Sequence, residues 1–181
     1  MLCNGMISIA VGVGNEVPQW MVKAGVSLFA AGFGSAALTA IVVRHVIIPS
    51  MVQNGDNLDH MFKPHEHVMH NLALVLLAAD LLLGGMVVPW SMMSLSLIVG
   101  AGYLIFAEFW AIKGNGYYVY EFIDPRPKFA PFFLSGLMIV CLISYCIGFA
   151  VSEIKTGDPI LASFLLIVFV SLSVRFRDPS V

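Results

Sequence analysis

The 181-residue sequence gathers most of its chemically competent side chains into a few short stretches. His60, His65, His67 and His70 follow one another, with Asp56, Asp59 and Glu66 interleaved. Imidazoles and carboxylates are metal ligands in principle, and His65 and His67 could reach one ion, but their spacing matches no metal motif. No metal and no cofactor are expected, and the loop reads as a solvated, interfacial segment. Asp80 stands alone inside an apolar run, where an ionised carboxylate is costly, so it must be protonated or find donors on neighbouring helices. Tyr103 and Tyr145 lie at similar depth and are the candidate partners; an interhelical hydrogen bond is the simpler use, a proton path the sharper one. Thr39, His70 and Glu108 fall in a common layer when rise is counted from one end of each apolar run at about 1.5 Å per residue. A hydroxyl, an imidazole base and an orienting carboxylate are the parts of a nucleophile system. Depth says nothing of separation, and ordinary polar contacts between helices would use the same residues.

The elements that position these groups are helices that cross a membrane. Hydrophobic residues make up 59% of the chain and charged ones 11%, which is too little polar surface to cover a water-soluble core. The fold class is all-α, a single integral-membrane bundle of about five transmembrane helices, four long and a short fifth. Ala24 to Val43 is uncharged and bracketed by Lys23 and Arg44; Val68 to Val88 holds one charge, Asp80; Met92 to Ile112 holds one, Glu108. Phe129 to Ser152 has none, and Ile160 to Val174 is too short for a comfortable span, since about 20 residues are needed. Only Pro89-Trp90-Ser91 separates the second and third runs, which predicts a tight antiparallel hairpin. His70, Ala73, Leu77, Asp80 and Gly84 form the expected inward stripe of the second helix. Gly32, Ser35 and Thr39 form a small-residue stripe on the first, the pattern of close helix contact. Thr39 is therefore expected to pack against a helix, away from His70.

Of the nine Lys and Arg residues, Lys23 and Lys155 fall at one end of this bundle. Arg44, Lys63, Lys113, Arg126, Lys128, Arg175 and Arg177 fall at the other, which predicts N-terminus out and C-terminus in. Trp20 and Trp90 mark the outer boundary. Trp110, Tyr117, Tyr118 and Tyr120 mark the inner one, and with Arg44, Lys113, Arg126 and Lys128 they are the expected headgroup-level residues. The net charge of -2 argues against a nucleic-acid partner. Cys3, Cys141 and Cys146 make neither a disulfide framework nor a CxxC motif. Met1 to Gly14 lacks the basic residue of a secretory signal and the arginines of a transit peptide, so targeting is expected to be internal.

Met69-His70 opening an apolar helix, Gly102-Tyr103, Trp110 and the stretch Gly116-Tyr-Tyr-Val-Tyr-Glu-Phe-Ile123 together resemble the androgen-induced-gene family of multi-pass membrane proteins. The resemblance runs from about Phe29 to Lys155. It implies hydrolysis of fatty-acid esters of hydroxy fatty acids by a threonine nucleophile and a histidine, the latter matching His70. The family's threonine comes from an earlier transmembrane segment, which the twenty or so residues ahead of the first helix are too few to supply. Thr39, the intramembrane threonine here, matches a later segment. Glu121 stands where the family usually has Pro, and the apolar segment after Glu153 is additional. The likeness is thus to the family's C-terminal half.

Two functions follow from different classes. The first is a non-catalytic accessory subunit of a larger membrane complex, such as a mitochondrial respiratory or ATP-synthase assembly, with other membrane subunits and bound phospholipids as partners. On this reading the mitochondrial inner membrane is favoured over the endoplasmic reticulum. The alternative is an intramembrane lipid-ester hydrolase using Thr39 and His70, with Glu108 as orienting carboxylate. The orientation is open to direct test: single cysteines at Asn15 and Asn57 should be labelled from opposite sides, Asn57 from the inside. Labelling of both from one side contradicts the five-span arrangement.

Overall fold

The computed structural model describes residues 16–114, 116–118 and 120–177; the apolar stretch Met1 to Gly14, with Cys3, and the labelling position Asn15 lie outside them. Among the described residues four helices are long and apolar enough to cross a membrane: α1 Gln19–Asn54, α2 Pro64–Leu83, α3 Trp90–Lys113 and α4 Ala130–Gly157. A shorter apolar helix, α5 Pro159–Ser173, follows at once. The fold is the expected all-helical bundle, but the helix ends differ from hydropathy, and each difference has a local cause.

α1 passes through Arg44 and runs eleven residues beyond Val43. A π turn at Val43–Ile47 precedes Pro49, which has no N–H to return to the preceding turn. Gly55, at φ +73°, then stops the helix, its N–H donating to the Val52 carbonyl (3.2 Å) and that of Asp56 to Met51 (2.9 Å). This is the doubly bonded left-handed cap that glycine permits without strain.

α2 ends at Leu83, five residues before the apolar run does. A Cβ on Gly84 would lie 2.6 Å from the Asp80 carbonyl oxygen, so the chain turns where no side chain obstructs it. The tight hairpin at Pro89-Trp90-Ser91 is therefore replaced by a longer non-helical stretch, 84–89, and Trp90 already opens α3. That stretch is satisfied by α4. Ser152 accepts from the Val88 N–H (3.0 Å), and the Tyr145 hydroxyl donates to the Pro89 carbonyl (2.6 Å). The Lys155 ammonium donates to the carbonyls of Leu81 (2.6 Å), Gly84 (2.6 Å) and Met86 (3.3 Å). Lys155 belongs to α4 because that helix continues past Ser152 to Gly157.

The hairpin between α4 and α5 is a single residue, Asp158, whose carboxylate accepts from the N–H groups of Ile160 (3.1 Å) and Leu161 (2.9 Å), with Pro159 opening the helix. At its far end the Arg44 guanidinium donates to the carbonyls of Ser171 and Val174, the latter at 2.6 Å. His45 donates to Leu172 (3.0 Å). Cations at a helix C-terminus also oppose the negative end of its dipole. Asn71 of α2 completes the seat, donating to the Arg175 carbonyl (2.7 Å) and accepting its N–H (3.2 Å). The fifteen residues of α5 thus reach from the level of Lys155 to that of Arg44 and Asn71.

The core lies where α1, α2, α4 and α5 converge on Phe29, Phe33, Leu77, Leu81, Tyr145 and Leu166. Close helix approach uses Gly34 rather than the Gly32, Ser35, Thr39 stripe: a Cβ on Gly34 would meet Ser96 Oγ at 2.7 Å and the Cys141 carbonyl at 3.2 Å. Ser96 donates to the Ala30 carbonyl (2.5 Å), tying α3 to α1. Gly32 has only ordinary room beside Leu77. On α2 the buried positions are His70, Asn71, Leu74, Leu77, Ala78 and Leu81: His70 and Leu77 of the expected stripe are inward, while Leu74 and Leu81 stand one residue on from the expected Ala73 and Asp80. The π turn at Val68–Leu72 inserts that residue. Removing the Lys155 ammonium leaves three carbonyl oxygens without their donor, so Lys155→Ala should lose about 2–4 kcal/mol. Thermal unfolding in detergent measures this, and an unchanged melting temperature would show the cap to be dispensable.

Candidate functional site

Two π turns, Val43–Ile47 in α1 and Val68–Leu72 in α2, both contribute to the wall of one cavity of about 350 Å³. Its volume is in the range of small-molecule sites, about 300–1,000 Å³. α1 supplies Ser35, Leu38 and Thr39, α2 Met69 and His70, α3 Val99, Gly100, Tyr103 and Leu104, and α4 Leu137 and Met138. Tyr120, Phe122 and Ile123 of the loop between α3 and α4 close the end nearest the basic side. The lining is mostly aliphatic, with four hydroxyls and one imidazole.

His70 is 9% exposed. Its Nε2 lies 2.7 Å from Oε2 of Glu66, one turn earlier on α2, while Nδ1 is buried with no hydrogen-bond partner among the described residues. The other Glu66 oxygen lies 3.4 Å from Nε2 of exposed His65. Thr39 donates to the Ser35 carbonyl (2.9 Å), the usual resting bond of a helical threonine, and Ser35 likewise to Ala31 (3.0 Å). Thr39 and His70, from different helices, both line this cavity, each with its own partner, the Ser35 carbonyl and Glu66. The stripe reading failed because Ser35 and Thr39 face the gap beside the π turns, while packing falls to Gly34 and Ala37 on the other side of α1.

Glu108 is not the carboxylate of this group. It is exposed and accepts the Tyr118 hydroxyl, fastening the loop to α3. The Arg126 guanidinium lies 5.2 Å from the centre of the Tyr118 ring and clasps Asp124 through Nε (2.8 Å to Oδ1) and Nη2 (2.5 Å to Oδ2). Nη2 also donates to the carbonyl of Gly116 (3.0 Å), a residue at φ +82°. The bond to Glu108 pushes the Tyr118 phenol up to about 12, and Arg126 holds the Asp124 carboxyl below its ordinary value. Burial, then the neighbouring Tyr103 and Glu66, raise the Tyr120 phenol as well, so at neutral pH both phenols stay protonated and the Asp124 carboxyl stays ionised. Lys113 sits over the Phe109 ring at 4.8 Å, and Trp110 and Tyr117 are exposed at the same end, as is Lys128.

The remaining candidates have other partners. Tyr145 serves the Pro89 carbonyl and Tyr103 the cavity wall. Asp80, in the last turn of α2, interacts electrostatically with Lys155. His67 meets the Asn71 amide at 3.3 Å and packs between the rings of Phe62 and Phe176. Among the described residues no three His, Cys, Asp or Glu side chains converge on a metal position. Glu66 was visible to sequence reasoning only as a loop residue, although its four-residue spacing from His70 is the signal of a contact on one helix face.

No protein-family model, curated protein or solved structure matches the chain. The fold and the length and hydropathy of its helices define an integral multi-pass helical membrane protein. If the cavity takes an acyl chain, Leu38→Trp, which fills it from α1, should weaken binding of a fluorescent fatty acid to the detergent-solubilised protein at least tenfold. A change of the same size at exposed Leu83 should have no effect; equal loss at both positions would mean binding to the outer surface.

Proposed function

We propose that the protein is an intramembrane acyl-ester hydrolase in which Thr39 is the nucleophile and His70 its base. The observation that carries this reading is that both residues, from different helices and 31 positions apart, line a single apolar cavity. An apolar lining of this size suits the acyl part of a lipid, and His70 and Thr39 supply a base and a hydroxyl in the same wall. The hydroxyl of Thr39 must first leave the Ser35 carbonyl, a rotation about one bond. Its oxygen then bonds to the acyl carbon as its proton passes to His70; the proton goes on to the departing alcohol as the ester C–O bond breaks. Water, deprotonated by the same imidazole, releases the acid and restores Thr39. The resemblance to the androgen-induced-gene family supports the same chemistry at His70, with Thr39 substituting for a nucleophile the family takes from elsewhere.

A second reading, an accessory subunit of a larger assembly, mitochondrial or otherwise, with phospholipids bound around it, is favoured by α3. That helix is the least buried of the four long ones and turns Ile98, Ile105, Phe109 and Ile112 outward. Such a face serves lipid or a partner helix equally well. The readings part on activity: the purified protein should hydrolyse 4-methylumbelliferyl acyl esters in mixed micelles. Thr39→Ala and His70→Ala should each lower kcat about 10²- to 10⁴-fold, while Ser35→Ala, in the same cavity wall, should lower it by less than threefold. Absence of turnover together with recovery in one stoichiometric complex would decide for the second reading.

A further inference from the structure

We propose that Glu66 is the positioning residue of His70, holding the Nε2 proton so that Nδ1 is the nitrogen that takes the proton of the attacking hydroxyl. The inference rests on the hydrolase reading and goes beyond it in assigning the carboxylate, the tautomer and the reacting atom. An ionised carboxylate can only accept, so a 2.7 Å approach of Glu66 Oε2 to Nε2 requires the ring hydrogen to be on Nε2. Nδ1 then carries the lone pair. It is also the buried side-chain atom left without any hydrogen-bond partner among the described residues. An unsatisfied buried polar atom costs about 1–3 kcal/mol, and a base waiting for a substrate proton accounts for it. Nucleophile systems elsewhere have the same logic: a carboxylate on one ring nitrogen fixes the ring and stabilises the imidazolium, and the other nitrogen works.

The surroundings favour one orientation of the ring. Glu66 is only 18% exposed at its side chain, so its charge is partly withdrawn from water and its attraction for an imidazolium is less screened. Its second oxygen is steadied by His65 at 3.4 Å. The backbone beneath His70 is held by the next residue, because Asn71 bonds both the carbonyl and the N–H of Arg175. The other candidate carboxylate, Glu108, is engaged with Tyr118 on the loop.

The test is ¹⁵N NMR of histidine-labelled protein in micelles, with the His70 signals assigned by their loss in His70→Ala. In the wild type, neutral His70 should have a protonated Nε2 and an unprotonated Nδ1. Glu66→Gln, whose amide oxygen still accepts, should keep this tautomer, lower kcat about 10- to 100-fold through loss of the charge and leave KM unchanged. Glu66→Leu should mix the tautomers and lower kcat about 10²- to 10⁴-fold. A wild-type His70 protonated at Nδ1, or a tautomer indifferent to Glu66→Leu, overturns the proposal. The NMR reading needs no turnover, so an inactive wild type would end the hydrolase reading while the spectrum still decides what Glu66 does.

Discussion

Inside a bilayer the backbone carbonyls at a helix end have no water to turn to, and each one left unpaired costs on the order of several kcal/mol. This chain ends two helices, α2 and α5, beside the interior of the bundle, and both ends are finished by long side chains from other helices. Lys155 gathers three carbonyls around the close of α2, while Arg44, His45 and Asn71 receive the end of α5 and the chain that follows. Because each donor sits at a fixed height on its own helix, these bonds also fix the relative heights of α1, α2, α4 and α5. A sliding displacement of one helix by a turn would strand every bond that it makes at once.

The cavity inherits its shape from that arrangement. Both π turns carry cap residues: Val43–Ile47 contains Arg44 and His45, and Val68–Leu72 contains Asn71 beside His70. A π turn widens the helix locally and spoils the regular packing of its surface. Two of them, both tied to the end of α5, border the space that Thr39 and His70 share. The cap that satisfies the chain after α5 and the wall that presents the imidazole are thus adjacent residues of one turn.

Much of this was legible from the residues alone, for an identifiable reason. Runs of apolar residues about twenty long, punctuated by single charges, carry the number and order of helices, because hydrocarbon thickness sets that length. Helix ends were less legible. Gly84 and Gly85 sit inside an apolar run that hydropathy reads as unbroken, and α2 stops there with Gly84 extended and its last carbonyls taken by Lys155. The inward stripe of α2 kept His70 and Leu77 but moved from Ala73 and Asp80 to Leu74 and Leu81, because a π turn leaves no mark on hydrophobic periodicity. Depth along each helix put Thr39, His70 and Glu108 in one layer, but rotation about the axis, which depth does not encode, sends Glu108 to the surface. The carboxylate that meets His70 is instead Glu66, through the elementary four-residue spacing. That Thr39 lines the same cavity as His70 depended on which side of α1 packs, and Gly34 packs against Ser96 and Cys141.

The proposal that Thr39 is a nucleophile, in an apolar cavity that His70 also lines, is open to covalent trapping, which needs no natural substrate. The protein in mild detergent would be treated with a long-chain alkyl fluorophosphonate and mapped by peptide mass spectrometry. The expected result is one stoichiometric adduct on Thr39, lost in His70→Ala and slowed in Leu38→Trp. An unlabelled protein, or labelling confined to residues outside the cavity, would contradict it.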